Sequence, residues 1–268
     1  MSTDEEVLKE ATGLLESGKR LALCTVIEKK GSGPRTPGAK MIVAEDGRTF
    51  GTIGGGTFER ALINESLKAL QEGRPRKTVF NLAKEEKEGA IKTGLICGGE
   101  LTVFIDIIEP RQRFIIVGSG HVAWPLAKLA DIVGFRIIIV DDNRELATKE
   151  RFPMAERIIT GTFTKILDTL EVEPNDFVAI VHGEPEHDYL ALEQIIKKKP
   201  FYVGLIGSKA KVTALAERLK TKGVNEKDLA VLHAPLGLDI GAQTPEEIGI
   251  SILAEIINER RKRRRKEK

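Results

Sequence analysis

An apolar run, Phe114-Ile115-Ile116-Val117, leads directly into Gly118-Ser119-Gly120-His121-Val122-Ala123 and then into a stretch of helical periodicity. Glycines in this pattern allow a tight turn and let backbone approach a ligand closely. The helix N-terminus behind them offers unpaired N–H groups and the positive end of its dipole to a phosphate. About twenty residues on, a second β-rich run ends at Asp141-Asp142, where a carboxylate can accept a ribose 2′-hydroxyl and disfavours a 2′-phosphate. A tight turn without ligand is the bland alternative, and for Asp142 a solvated turn residue is an equal one.

Further polar or glycine-rich loops stand where other β-rich runs end. They are His182-Gly183, Gly207-Ser208, and the segment from Ala234 to Gly241 that contains Asp239. Ligands of open parallel sheets sit beyond the carboxyl ends of the strands, so these loops are expected at the same crevice. Ser208 reads equally as a helix N-cap, Asp239 as a turn residue, and His187-Asp188 as a helix start. In the N-terminal half, Arg35 lies in the loop Gly31 to Gly38 with Lys40 following, and Gly54-Gly55-Gly56-Thr57 precedes a helix. Both loops could present N–H groups or cations to an anion, with plain turn geometry as the alternative. Cys97, followed by Gly98-Gly99, has small neighbours that expose its sulfur and amides that could lower its pKa, whereas Cys24 lies inside a strand and reads as packing. No set of residues shows metal-ligand spacing, so no metal site is expected.

The elements that must position these residues fall into two patterns. Up to about Pro110, a helix starting at a Thr3/Glu6 capping box is followed by strands at Leu21 to Ile27 and Lys40 to Ala44, a helix from Phe58 to Leu70, and a strand pair, Lys77 to Leu82 and Glu100 to Ile107. Beyond it, β-rich runs at 114–117, 136–140, 157–160, 177–181 and 202–206 alternate with helices near 121–133, 164–170, 189–197 and 209–222. A last helix opens at Thr244-Pro245-Glu246-Glu247. This predicts an α/β chain: an N-terminal α+β domain, 1–110, and a Rossmann-like doubly wound parallel sheet, 111–268.

At 268 residues and 41% hydrophobic, the chain can bury two cores. The net charge of +2 hides an asymmetry: residues 260–268 hold eight basic side chains and one acid, and the remainder has 34 basic against 39 acidic residues. The body is therefore mildly acidic and the tail reads as a solvated helix end; nucleic acid is not an expected partner. With two cysteines, an acidic start and no run of eighteen apolar residues, the chain reads as cytoplasmic, with no membrane association.

Taken together, these motifs in this order resemble the XdhC/CoxI family, the accessory proteins of xanthine dehydrogenase and related molybdenum hydroxylases. The resemblance rests on residues 31–41, 51–59, 97–100, 118–123, 140–142, 203–208 and 233–241, and covers nearly the whole chain. It implies a factor that binds the molybdenum cofactor, as molybdopterin or its dinucleotide, promotes its sulfurated form and delivers it to an apo-hydroxylase of the xanthine dehydrogenase type. A cysteine desulfurase is then a candidate sulfur source, and the oligomeric state, homo-oligomer or monomer, stays open. Arg35, Gly54, Gly55, Gly56, Gly118, Ser119, Gly120, His121, Asp141, Gly207, Ser208 and Asp239 become candidate cofactor contacts, and Cys97 a candidate sulfur carrier. Thr57 departs from the family, where many members have cysteine, and residues 182–188 fit it loosely.

An alternative is an oxidoreductase using NAD in the same crevice, since Gly118 to Gly120 with Asp141 would also suit it. Nothing supplies its second half: Tyr189 has Glu193 four residues on, not the lysine of a short-chain dehydrogenase. A pure interaction module would not need three glycine-rich loops.

Overall fold

Thr3 starts the first helix as its side chain dictates. Its hydroxyl accepts from the Glu6 amide at 3.2 Å while the Glu6 carboxylate accepts from the Thr3 amide at 2.8 Å, satisfying two donors that a helix start leaves unpaired. That helix, α1 (Asp4–Glu16), presents Val7, Ala11 and Leu14 to the core. The computed structural model describes residues 3–83, 88–93, 98–229 and 231–266. It divides into two compact units, Met1–Pro110 and Arg111–Arg265.

In the first unit, α1 is followed by β1 (Leu21–Lys30), β2 (Lys40–Ala44), β3 (Thr49–Gly51), α2 (Gly56–Glu72), β4 (Arg76–Asn81), β5 (Ile91–Lys92) and β6 (Glu100–Ile108). The strands form one sheet in the order β3-β2-β1-β6-β4-β5, antiparallel except for the pair β4–β5. Strand alternation sorts the side chains between two helices. Leu21, Ile42 and Ala44 pack with the apolar stripe of α1, whereas Ala22, Cys24, Val26, Met41 and Val43 pack with Phe58 and Leu62 of α2. Burial pushes the Cys24 thiol up to about 12, against a smaller opposing effect from its contact with the Ser66 hydroxyl at 3.2 Å.

The second unit runs β7 (Arg113–Val117), α3 (Ala123–Ile132), β8 (Arg136–Asp141), β9 (Ala155–Thr160), α4 (Phe163–Thr169), β10 (Phe177–Ile180) and α5 (Pro185–Lys197). It continues with β11 (Tyr202–Leu205), α6 (Lys209–Thr221), α7 (Glu226–Leu229), β12 (Leu232–His233) and α8 (Pro245–Lys266). All its strands are parallel, in the order β12-β11-β10-β7-β8-β9. The first three strands step one way from β7 and the last three step the other way, which is the doubly wound Rossmann arrangement. β7 is buried on both faces, as a central parallel strand must be. Phe114 and Ile116 face the helices α3 and α8 through Leu126, Ala130, Ile252 and Ile256, while Ile115 and Val117 face α4, α5 and α6 through Leu167, Leu192 and Leu219.

The longer strands and helices stand where hydrophobic pattern places them, with ends shifted by a few residues. β3, β5 and β12, each of two or three residues, are absent from the sequence-based expectation because so short a pairing carries no periodicity of its own. Thr244 caps α8 as expected, accepting from the Glu247 amide at 3.2 Å, while the Glu247 carboxylate accepts from the Thr244 amide at 3.1 Å. No helix among the described residues is long and apolar enough to cross a membrane.

The burial of Cys24 sets an expectation for thiol chemistry. In a Cys97→Ser protein at pH 8, a thiol reagent should find no reactive cysteine until denaturant is added, and one afterwards. Rapid labelling of the native protein would contradict the placement of Cys24 in the sheet.

Candidate functional site

At the carboxyl end of β7 the chain turns through Gly118, whose φ of 118° lies in the left-handed region. The Gly118 amide donates to the Val140 carbonyl of β8 at 2.8 Å, and on the other side the Val181 amide donates to the Val117 carbonyl at 2.8 Å. The loop is thus clamped between its two neighbours in the sheet. A Cβ on Gly118 would lie 2.8 Å from both the amide nitrogen and the Cα of His182, so glycine is demanded here by the protein's own backbone. Gly120 differs. Its φ is outside the left-handed region, and beyond its chain neighbours no atom lies within 4 Å of where a Cβ would stand. The open space over Gly120, at the approach to α3, is where the loop could receive a phosphate. His121 is exposed beside it.

Ser119 is fully buried, and its hydroxyl donates to Asp141 Oδ2 at 2.7 Å. The other Asp141 oxygen accepts from the Asn143 amide at 2.8 Å. Both oxygens of the carboxylate assigned to a ribose contact are therefore engaged within the chain, and they tie the glycine loop to the end of β8. The next carboxylate, Asp142, is part exposed and meets two histidines instead. His187 Nε2 lies 3.1 Å from Asp142 Oδ2 and His182 Nε2 lies 3.4 Å from Asp142 Oδ1. Burial raises the Asp142 pKa, but its contacts with His182, Asp141 and His187 outweigh this and hold the carboxyl below the usual range. The two imidazoles stack in parallel with centroids 4.5 Å apart, and Phe163 packs against both.

The loop that carries His182 is anchored by Asp188 in the first turn of α5. The fully buried Asp188 carboxylate accepts from the Gly183 amide at 3.3 Å and pairs with the Lys211 ammonium of α6. Ser208 is an N-cap, its hydroxyl accepting from the Lys211 amide at 3.3 Å, and Gly207 lies against the Lys211 stem. Asp239 is exposed on the loop after β12, which is held to α8 by the Gly237 amide donating to the Glu255 carboxylate at 2.6 Å. Sequence reading saw His182, His187 and Asp142 separately but not as one group, and it expected no metal ligands. Forty residues separate Asp142 from His182, and only the parallel pairing around β7 brings them together. The available signal was a histidine ending the fourth strand and an acid following the second, since those strands flank the first.

In the N-terminal unit the three glycine motifs converge. A Cβ at Gly99 would lie 2.0 Å from the Ser32 carbonyl oxygen, one at Gly31 3.1 Å from the Gly98 carbonyl, and one at Gly54 2.3 Å from Pro34 Cγ. Arg35 sits half-buried in this cluster. The anion cradle foreseen at Gly54 to Gly56 already holds an anion, because Glu59 Oε1 accepts from the amides of Ile53, Gly54 and Gly55 at 3.0, 3.2 and 2.9 Å and from the Thr52 hydroxyl. Burial raises the Glu59 pKa, but these donors outweigh it and hold the carboxyl below its usual range. Gly56 is exposed at the start of α2. Cys97 lies outside the described residues.

Residues 114–256 match the XdhC Rossmann domain, and residues 14–81 match the XdhC and CoxI family. The chain is 38% identical to the uncharacterized protein YqeB of Escherichia coli over 94% of its own length, yet it spans only 46% of that relative. It is 25% identical to the molybdenum cofactor insertion chaperone PaoD of Escherichia coli, covering 95% of this chain and 88% of PaoD. A crystal structure described as a xanthine dehydrogenase from Bacillus halodurans superposes with a TM-score of 0.54 at 26% identity, covering 94% of this chain and 96% of that one.

The Glu59 network predicts a pH signature. A carboxyl depressed in the folded state contributes stability that is present above its unfolded value, near 4.3, and lost as pH falls through the lower folded value. At pH 7, Glu59→Gln should cost about 1–2 kcal/mol, discounted for partial exposure. The difference from wild type should shrink on acidification below about pH 4. Denaturant unfolding across pH checks this, and a difference independent of pH would refute it.

Proposed function

The chain belongs to the XdhC and CoxI family, and from that footing we propose that it binds the molybdenum cofactor as cargo, supports its sulfuration and delivers it to an apo-hydroxylase of the xanthine dehydrogenase type. The observation that carries the reading is the crevice at Gly118 to Gly120. Its clamped first glycine is required by the fold, whereas its open glycine at position 120 leaves room at a helix start for a phosphate. Molybdopterin ends in a phosphate, and in its dinucleotide form a pyrophosphate joins it to a nucleoside, so the class of group fits the space. The similarity to PaoD over most of both chains supports the same reading.

Within it, the chain's own residues have distinct duties. Gly120 and His121 lie where the phosphate end would rest, while Ser119 and Asp141 act through each other to hold the loop in register with β8. Gly207, Ser208 and Asp239 follow β11 and β12 at the same carboxyl edge of the sheet, the edge along which a longer, nucleotide-bearing ligand would extend. In the N-terminal unit, Arg35 and Gly56 are the candidate anion contacts, since Gly54 and Gly55 serve Glu59. Cys97 is assigned the sulfur-bearing end on the strength of the family, with a cysteine desulfurase as the sulfur source.

Two variants separate fold from binding. Gly120→Asp places a negative side chain in open space, so stability should change by about 0.5 kcal/mol or less while molybdopterin binding, measured by calorimetry, is lost. Gly118→Ala should instead cost about 3 kcal/mol, from backbone overlap and a left-handed φ. Wild-type affinity in folded Gly120→Asp protein would overturn the site. For Cys97, replacement by serine should leave molybdopterin binding intact but lower the activation of an apo-hydroxylase reconstituted with cofactor, a cysteine desulfurase and L-cysteine as the sulfur source. Full activation would remove Cys97 from the mechanism.

A further inference from the structure

We propose that Asp142, His182 and His187 form a binding site for one divalent transition-metal ion of the zinc class, at the rim of the Gly118 to Gly120 crevice. Their ligand atoms, one carboxylate oxygen and two imidazole nitrogens, lie within 4.8 Å of one another. Two imidazoles and a carboxylate are a donor set that suits zinc, cobalt or nickel and leaves coordination positions open for water or an anion.

What sets this cluster apart from an ordinary hydrogen-bonded group is the outer partner of His187. Its Nδ1 lies 3.0 Å from Glu184 Oε2 while its Nε2 faces Asp142. A carboxylate accepting the Nδ1 proton leaves Nε2 with a free lone pair, which is the tautomer a metal requires and the outer-shell arrangement that metal-bound histidines use. His182 is held from behind. Its side chain is 10% exposed, and its backbone is wedged against Gly118 in a loop pinned by Asp188. The parallel stack of the two rings means that one imidazole must swing for both nitrogens to meet one ion. His187, the more exposed of the two at 26%, is the ring assigned that movement.

Charge points the same way. Asp141 reaches the middle residue of the glycine loop at 2.7 Å, and Asp142 follows it directly. Among the described residues, the ion-pair partners of these two acids are histidines, with neither lysine nor arginine within 4 Å. An anionic ligand over Gly120 would face both carboxylates, and a bound dication would offset them and could take a phosphate oxygen in an open position. The donor set stands on the cluster's own geometry; only the offsetting of an anionic ligand rests on the proposed function.

The test is a titration of tag-free, chelator-treated full chain with Co²⁺, followed by visible absorption, and with Zn²⁺ by calorimetry. One ion per chain is expected. His187→Gln and Asp142→Asn, both at part-exposed positions and checked for folding by circular dichroism, should each abolish it. Glu184→Gln should weaken it by about 10-fold or more, and Cys97→Ser should leave it unchanged. No binding by the wild type, wild-type binding by folded His187→Gln, or loss in Cys97→Ser would each overturn the assignment.

Discussion

The second unit depends on one close approach, that of the Gly118 turn to the backbone of His182. β7 and β10 are neighbours in a parallel sheet, and the chain leaves their carboxyl ends in opposite directions, toward helices on opposite faces. Where the two exits pass, no side chain fits between them: a single methyl at Gly118 would overlap the nitrogen and Cα of His182. The contact sets how near the glycine loop and the histidine loop can lie, and so places an open helix start beside a cluster of titratable groups. It explains why a doubly wound sheet offers its binding crevice at the point of reversal. Ser119 and Asp141 complete the frame from the β8 side, with one internal hydrogen bond to each oxygen of the Asp141 carboxylate.

Glycine-rich loops do different physical work in the two units. Around Gly31, Gly54 and Gly99 the missing side chains let three loops press together, and the amides that the crowding turns inward are satisfied by the chain's own Glu59. That is a structural solution: an internal carboxylate occupies the position an external anion would otherwise take. At Gly120 the absent side chain serves no neighbour within the protein. Nothing inside the chain demands glycine at 120, whereas the N-terminal loops need theirs for their own packing.

The amino-acid sequence by itself determined the classes of element and their order. Alternating apolar runs and amphipathic stretches after Pro110 can bury their faces only as a parallel sheet with helices on both sides, so the Rossmann-like unit and its glycine turn were legible before any coordinates. The capping pairs at Thr3 and Thr244 were legible too, because a capping box acts over three residues. Tertiary structure alone decided which loops meet and which polar groups are already spent. Asp141 and Asp142 are adjacent and alike in sequence, yet one is locked to Ser119 and Asn143 and the other opens onto His182 and His187. Glu59 looks like any first-turn acid until Ile53, Gly54 and Gly55 fold over it. Local periodicity reports which face of an element is buried, but contacts between residues forty positions apart depend on strand order and loop register, and no short-range pattern encodes either.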